Sequence, residues 1–192
     1  MGRGRSARVG PWLAGVLLVA VAGAGFGLYW FQPWKLWQDE TVHEALPVTV
    51  DVNTSRVPAE GPSSSEKPST PPPAEPVTLA SGELISHEHA TSGTVKLVRL
   101  ADGSHVVRVE DLDTSNGPDL RVLLTDAPVK EGRPGRHVFD DGKHVGLGKL
   151  KGNKGSQNYA VPADVDPARY SSVSIWCDRF DVSFGAAELA VT

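Results

Sequence analysis

The chain reads as a mostly β protein, an antiparallel β-sandwich or small barrel, preceded by one N-terminal transmembrane helix and a Pro/Ser-rich linker. Three observations predict this. Residues 10–31 (GPWLAGVLLVAVAGAGFGLYWF) form an apolar run of 22 residues without a charge. Residues 56–77 are rich in Pro, Ser and Glu and, Val and Ala apart, carry no apolar side chain. Residues 78–192 break into short apolar or alternating runs separated by Gly, Pro and Asp, the pattern of a sandwich or barrel.

The apolar run comes first. As a helix it spans roughly 33 Å, enough for a hydrocarbon core of about 30 Å. Arg3, Arg5 and Arg8 precede it and no acid occurs before Asp39, so the N-terminus is expected in the cytoplasm and the rest outside. Tyr29, Trp30, Phe31, Trp34 and Trp37 gather at the outer end, where amphipathic rings favour the membrane interface. The rival reading is a cleaved signal peptide, since Ala20-Val21-Ala22 and Ala22-Gly23-Ala24 have the small-x-small pattern of a cleavage site. The apolar run continues past both, which favours a retained anchor over residues 1–37. No cysteine lies near the N-terminus to be acylated, so a lipoprotein is excluded.

Residues 38–77 read as a linker. Arg56 to Val77 cannot bury enough surface to offset chain entropy and is expected to be disordered or extended. Pro71-Pro72-Pro73 favours polyproline II and would make the linker a semi-rigid spacer. Asn53-Thr54-Ser55 is a glycosylation sequon that matters only in a host that glycosylates.

Residues 78–192 form one domain of ordinary size. Thr94–Leu100 alternates, Ala101-Asp102-Gly103-Ser104 signals a turn, and His105–Leu112 returns, making a hairpin. Leu120–Thr125 is an apolar run between Gly117-Pro118-Asp119 and Asp126-Ala127-Pro128. Tyr159–Val161, Val173–Cys177, Val182–Phe184 and Ala187–Val191 are further short strands. Asp164–Tyr170 suits one helical turn, with Asp166 capping and Pro167 in first position. Gly142, Gly146, Gly148, Gly152 and Gly155 read as tight turns, because no GxxxxGK[ST] phosphate loop is present. The domain is mildly acidic with no basic concentration, which argues against a nucleic-acid partner. No GxSxG elbow supports a hydrolase.

Cys177 is the one cysteine of the chain. In an exported domain an unpaired thiol is buried and inert, bonded to another molecule, or used in redox chemistry or ligation. Alternation puts Val173, Ile175 and Cys177 on one strand face and Trp176 on the other, so Cys177 shares the apolar face. The same parity groups Phe180, Val182 and Phe184 on one buried face. His87 and His89, two apart, would project from one face of an extended segment, with Glu83 on the same parity, as two ligands of one ion would. His137 and His144 read as loop residues, and His105 opens a strand. Copper, haem or zinc could be assembled from Cys and His, but there is no CxxCH, and no methionine outside Met1 for an axial ligand.

Three separated motifs occur in order: Gly117-Pro118-Asp119-Leu120; Leu147-Gly148-Lys149-Leu150-Lys151-Gly152-Asn153-x-Gly155-x-Gln157-Asn158-Tyr159; and Tyr170-x-x-Val173-x-Ile175-Trp176-Cys177-x-x-Phe180-x-Val182-x-Phe184-Gly185-x-Ala187-x-Leu189. With His89-x-x-Ser92-Gly93 upstream, they resemble the DM13 domain over about residues 80–191. The resemblance is to a membrane-anchored, single-domain member of bacterial type. It implies an extracellular β-sandwich serving electron transfer or redox modification at the cell surface. Cys177 matches the family's characteristic cysteine, proposed there as a bare thiol or as a ligand to a group such as haem, and His89 is the best supporting residue.

The expectation is therefore a single-pass protein of the cell membrane with an extracytoplasmic redox domain centred on Cys177 and His89. Haem, copper or no cofactor fit the residues equally. The partners expected are the membrane, through the N-terminal helix, and a redox partner or cell-envelope ligand. The alternative is a non-enzymatic cell-envelope binding module, held off the membrane by the Pro-rich spacer, in which Cys177 is core.

Overall fold

The computed structural model describes residues 10–47 and 75–192. Asn53, the Arg3, Arg5 and Arg8 cluster and nearly all of the Pro/Ser-rich stretch lie outside the described residues. One helix, Gly10–Phe31, runs through the apolar segment with its side chains almost wholly exposed. The span Trp12–Lys35 has a mean hydropathy of 1.9, so it has the length and composition of a membrane crossing, and equally of a signal sequence. A short 3-10 turn, Pro33–Trp37, follows it.

The rest is mostly β, in two sheets that do not close into a barrel. In chain order the strands are β1 (Thr41–His43), β2 (Val77–Glu83), β3 (Ile85–Ser86), β4 (Ser92–Arg99), β5 (His105–Asp113) and β6 (Leu120–Thr125). They continue with β7 (His144–Lys149), β8 (Lys154–Ala160), β9 (Ser172–Cys177), β10 (Val182–Glu188) and β11 (Ala190–Val191). One sheet has the order β1-β8-β5-β4-β2-β11 and the other β3-β10-β9-β6-β7. Every pairing is antiparallel except that of β1 with β8, which is parallel.

Local chemistry accounts for the hairpin between β4 and β5. Asp102 Oδ1 accepts from the Ser104 amide at 2.9 Å and the Ser104 hydroxyl at 2.6 Å, an Asx turn that reverses the chain. The expected turn at Asp166 is also present. Its side chain accepts from Ala168 N at 3.1 Å and caps Pro167–Arg169 as a 3-10 turn.

The core lies between the sheets. Val95, Val107, Val109 and Leu112 from one sheet meet Val122, Leu124, Val173, Ile175 and Phe184 from the other. Strand β9 is buried along its whole length. Val173, Ile175 and Cys177 point into the inter-sheet core, while Trp176 points the other way into a second cluster with Leu123, Phe139 and Ala186. Residues 126–143 cover that outer face. The alternating serines of β9 are therefore buried too: Ser172 donates to the Ala127 carbonyl at 2.6 Å and Ser174 to Ser183 Oγ at 2.9 Å.

Several elements depart from the expectation. Phe180 does not join Val182 and Phe184 on a buried face. It is 40% exposed, because it sits in the turn joining β9 to β10, where strand parity does not apply, and its amide donates to the Cys177 carbonyl at 3.2 Å. Beyond Phe184, a bulge between Ser183 and Gly185 resets the parity, so that Ala187 faces the core and Ala186 the outer cluster. His144–Lys149 is an edge strand rather than loop. Its glycines give it no strand propensity of its own, and it is β because it pairs with β6. Within the span read as linker, Thr41–His43 lies on β8, and Leu46 packs against Val98, Leu100 and Val106.

Ile175, without solvent exposure between the sheets, tests the core. In a fragment spanning residues 38–192, Trp176 is the one tryptophan and reports unfolding. That fragment is expected to unfold cooperatively in urea, and Ile175→Ala to lower its stability by about 2–5 kcal/mol. A change under about 1 kcal/mol would place Ile175 outside a packed core.

Candidate functional site

Cys177 ends β9 on its inward face and is completely shielded from solvent. Burial pushes its thiol pKa up, against the partial offset of the main-chain amides of Phe180, Arg179 and Asp119. The sulfur is thus a protonated core thiol beneath the 117–120 loop and the β9–β10 turn. A thiolate nucleophile needs the opposite environment, exposed and electropositive.

His87 and His89 do not form a pair. Past β3, the consecutive amides of His87 and Glu88 donate to the Phe184 and Ser183 carbonyls at 2.9 and 3.1 Å, so the chain no longer alternates as a strand. The two rings diverge. His87 goes to the outer face of its sheet, stacked on Phe139 with ring centroids 5.6 Å apart. Its Nε2 donates to the Lys130 carbonyl at 3.0 Å, which leaves Nδ1 to accept from Ser183 Oγ at 2.8 Å. Burial, with Arg136 nearby, holds its pKa below the usual value, although the Lys130 carbonyl favours the cation. Ser174, Ser183 and His87 form a sealed polar chain that pins residues 126–143 to the sheet.

His89 turns to the other side and lies on Phe184, centroids 4.0 Å apart. Desolvation lowers its pKa and keeps the imidazole neutral, opposed by the charge of Glu88. It lines a cleft of about 580 Å³, with Phe31, Pro118, His137, Phe180 and Phe184 among the walls. That volume suits a small-molecule site. The loop Gly117–Pro118 forms one lip, pressed so closely on Phe184 that a Cβ at Gly117 would meet Phe184 Cζ at 3.1 Å. His137, whose Nδ1 donates to the Asp181 carbonyl, is held at the rim. The helix end closes the cleft: Phe31 stacks on Phe180 at 5.7 Å, and the Arg179 guanidinium lies 5.3 Å from the Trp30 ring and donates to the Trp30 carbonyl.

On the far side of Gly117–Pro118 lies a polar cleft of about 530 Å³, with Lys35, Asp39, Asp119, Lys149 and Asn153 on its walls. Asn153 is buried and fully used. Its Nδ2 donates to Asp39 Oδ1 and the Thr114 carbonyl, both at 2.8 Å, and its Oδ1 accepts from Glu40 N at 2.7 Å. Beside it, Tyr159 donates to Gln157 Oε1 at 2.6 Å, and burial raises the tyrosine pKa to about 12.

The remaining sequence candidates are dispersed. Glu83 accepts from Thr94 Oγ1 at the surface, His105 opens β5, and His144 opens β7 with Nδ1 on the Gly142 carbonyl. Among the described residues, no three His, Cys, Asp or Glu side chains converge as ligands of one metal ion. Copper shared by Cys177 and His89 does not fit this arrangement, because the sulfur is closed into the core while the imidazole lies on Phe184 at the cleft wall. The cleft is lined largely by apolar rings, and His89 lies on its wall against Phe184. The cleft itself escapes sequence reasoning, since His89, Pro118, His137 and Phe180 come from four separate loops. The nearest signal was Gly117-Pro118 and Phe184 recurring as motif residues.

Two measurements test the buried groups. The native Cys177 thiol is expected to stay silent towards a thiol reagent until the protein unfolds, and Cys177→Ser to cost about 1–3 kcal/mol by burying a hydroxyl. Rapid native labelling would show the thiol to be open. For His87 the folded pKa lies below the ordinary 6.5, so the unfolded chain binds more protons as pH falls through that value. Its contribution to stability is full above about 6.5 and is lost below it. Unfolding free energies at pH 7.5 and 5.5 should therefore differ more in the wild-type protein than in His87→Gln.

No match was found among curated proteins or solved structures. The family model described as electron transfer DM13 matches residues 83–189, which takes in β3–β10, both histidines of the divergent pair, the Gly117–Pro118 lip and Cys177. On that match, over more than half its length and in the motif order seen in its residues, the chain belongs to the electron transfer DM13 family.

Proposed function

We propose that this is a membrane-tethered, extracytoplasmic electron-transfer domain whose working surface is the aromatic cleft around His89. The carrying observation is that a domain of an electron-transfer family holds a neutral imidazole against phenylalanine in a cleft of about 580 Å³. Electron exchange needs a redox group close to the surface, and His89 is the candidate ligand or contact residue there. A bound haem would supply one-electron chemistry at that place. His89 would hold it, and Phe31, Phe180 and Phe184 would exclude water around it. Cys177 lies in the layer behind this wall. It is a shielded, protonated thiol, so a direct role would require its cover, the 117–120 loop or the β9–β10 turn, to move. Tethering rests on the apolar helix Gly10–Phe31, and an outward-facing domain on the arginines before it.

A specific observation favours a second reading. Cys177 has no exposed surface and sits among Val173, Ile175, Val182 and Phe184 as a small hydrophobe. On that reading the domain is a non-enzymatic cell-envelope binding module, and the cleft takes a ligand without redox chemistry.

The full chain in detergent micelles, titrated with haem, separates the two. The redox reading expects saturable binding seen as a shifted absorbance band, a reversible potential by voltammetry, and loss of about tenfold or more in affinity in His89→Ala, at least the scale of losing a metal ligand's outer-shell partner. No binding and no redox wave with haem or copper, together with a thiol that stays silent, would leave the binding module.

A further inference from the structure

The edge of β8 is occupied by the chain's own residues 39–46, in the manner of a bound peptide. Thr41, Val42 and His43 pair in parallel with Lys154, Gly155 and Ser156. Lys154 N donates to the Glu40 carbonyl at 3.1 Å and Glu44 N to the Ser156 carbonyl at 2.8 Å. Side chains read both ends. Asp39 and Glu40 meet Asn153, as described. Glu44 takes Lys151 Nζ at 2.7 Å and the Asn158 amide at 2.8 Å, while its carbonyl accepts from Arg108 at 3.0 Å. Asn158 Nδ2 donates to the Ala45 carbonyl at 2.8 Å. The lysine ammonium most of all, and the Asn158 amide, hold the Glu44 carboxyl below its usual pKa.

The groove is shaped for this strand. A Cβ on Gly152 would come within 2.4 Å of the Glu40 carbonyl oxygen, and one on Gly155 within 2.1 Å of that of Val42. Gly155 also has φ +90°, which disfavours any side chain. These residues belong to the domain's own motif, whereas residues 39–46 lie outside the family match at 83–189. A groove inside the matched region thus holds a strand from outside it. Backbone pairing with pockets for particular side chains is how sheet edges recognise extended peptides.

We propose that the β8 edge is a peptide-binding site for an extended segment with acidic side chains at its first and sixth positions, and that residues 39–46 are its ligand in cis. On this basis the docked segment, rather than residues 48–74, holds the domain to the helix. The proposal stands whether or not the His89 cleft carries electrons.

The test uses the full chain in detergent micelles with an N-terminal tag and a protease site inserted between Ser63 and Ser64. After complete cutting, the C-terminal fragment should remain on the tag resin and be released, after equilibration, by an excess of a synthetic peptide spanning residues 38–47. Immediate release on cutting would overturn the proposal. So would retention that the peptide leaves unchanged, since the Trp30–Arg179 and Phe31–Phe180 contacts would then carry the attachment. Glu44→Lys should weaken retention about tenfold, and adding Lys151→Glu should restore it, as a charge-assisted pair requires. Equal retention in the unsubstituted chain and both variants would also overturn it. A Cys177 thiol that stays silent in each variant verifies that the domain is folded.

Discussion

Strand β9 is closed to water on both faces, and most of the domain follows from that constraint. Its inner residues, Val173, Ile175 and Cys177, fill the space between the sheets. On its outer side the large Trp176 indole calls for a second cover, and that cover buries the neighbouring Ser172 and Ser174 as well. Residues 126–143 supply the cover, and Phe139 is their apolar plug. The hydroxyls are then satisfied by the Ala127 carbonyl and by Ser183, each bond worth about 1 kcal/mol net but costly to leave unmade. His87 belongs to the same device. Its ring joins Ser183 on the strand to the Lys130 carbonyl on the cover.

The same closure separates the two residues the sequence pairs in function. Cys177 is inside the sandwich. His89 is outside it, with Phe184 in the wall that divides cleft from core. A thiol in this setting is raised in pKa and unreactive, while the imidazole, desolvated yet beside open space, stays neutral and available. The sulfur is closed off by the 117–120 loop and by the β9–β10 turn, where Asp181 holds φ 49°, a conformation uncommon outside glycine.

What the sequence makes legible is local. The hairpin at Asp102-Gly103, the capped turn at Asp166 and the opposed faces of Trp176 and Cys177 all follow from neighbours within a few residues. The pairing of His87 with His89 fails for a non-local reason: both amides turn toward β10, nearly a hundred residues away, and parity is broken there. Phe180 fails because strand parity does not extend two residues back from Val182 into the turn. The glycines at 152 and 155 were readable as special positions but not as a groove. Nothing near them says that their open side faces a strand more than a hundred residues earlier. His144–Lys149 is illegible for the related reason that an edge strand built on glycine takes its conformation from its partner.

The parallel pairing of β1 with β8 also sets a length scale. Only residues 32–40 separate the apolar helix from the docked strand, and at about 3.5 Å per residue they reach no more than roughly 30 Å. A domain hung from residues 32–76 could range several times farther. If the helix spans the bilayer, the docked domain is confined to a thin shell above the lipid, and its partners are selected by height as well as by chemistry. The Pro/Ser-rich stretch lies in the sequence between β1 and β2, two strands of the same sheet. Its length could change through insertion or deletion without altering how far the domain stands from the membrane.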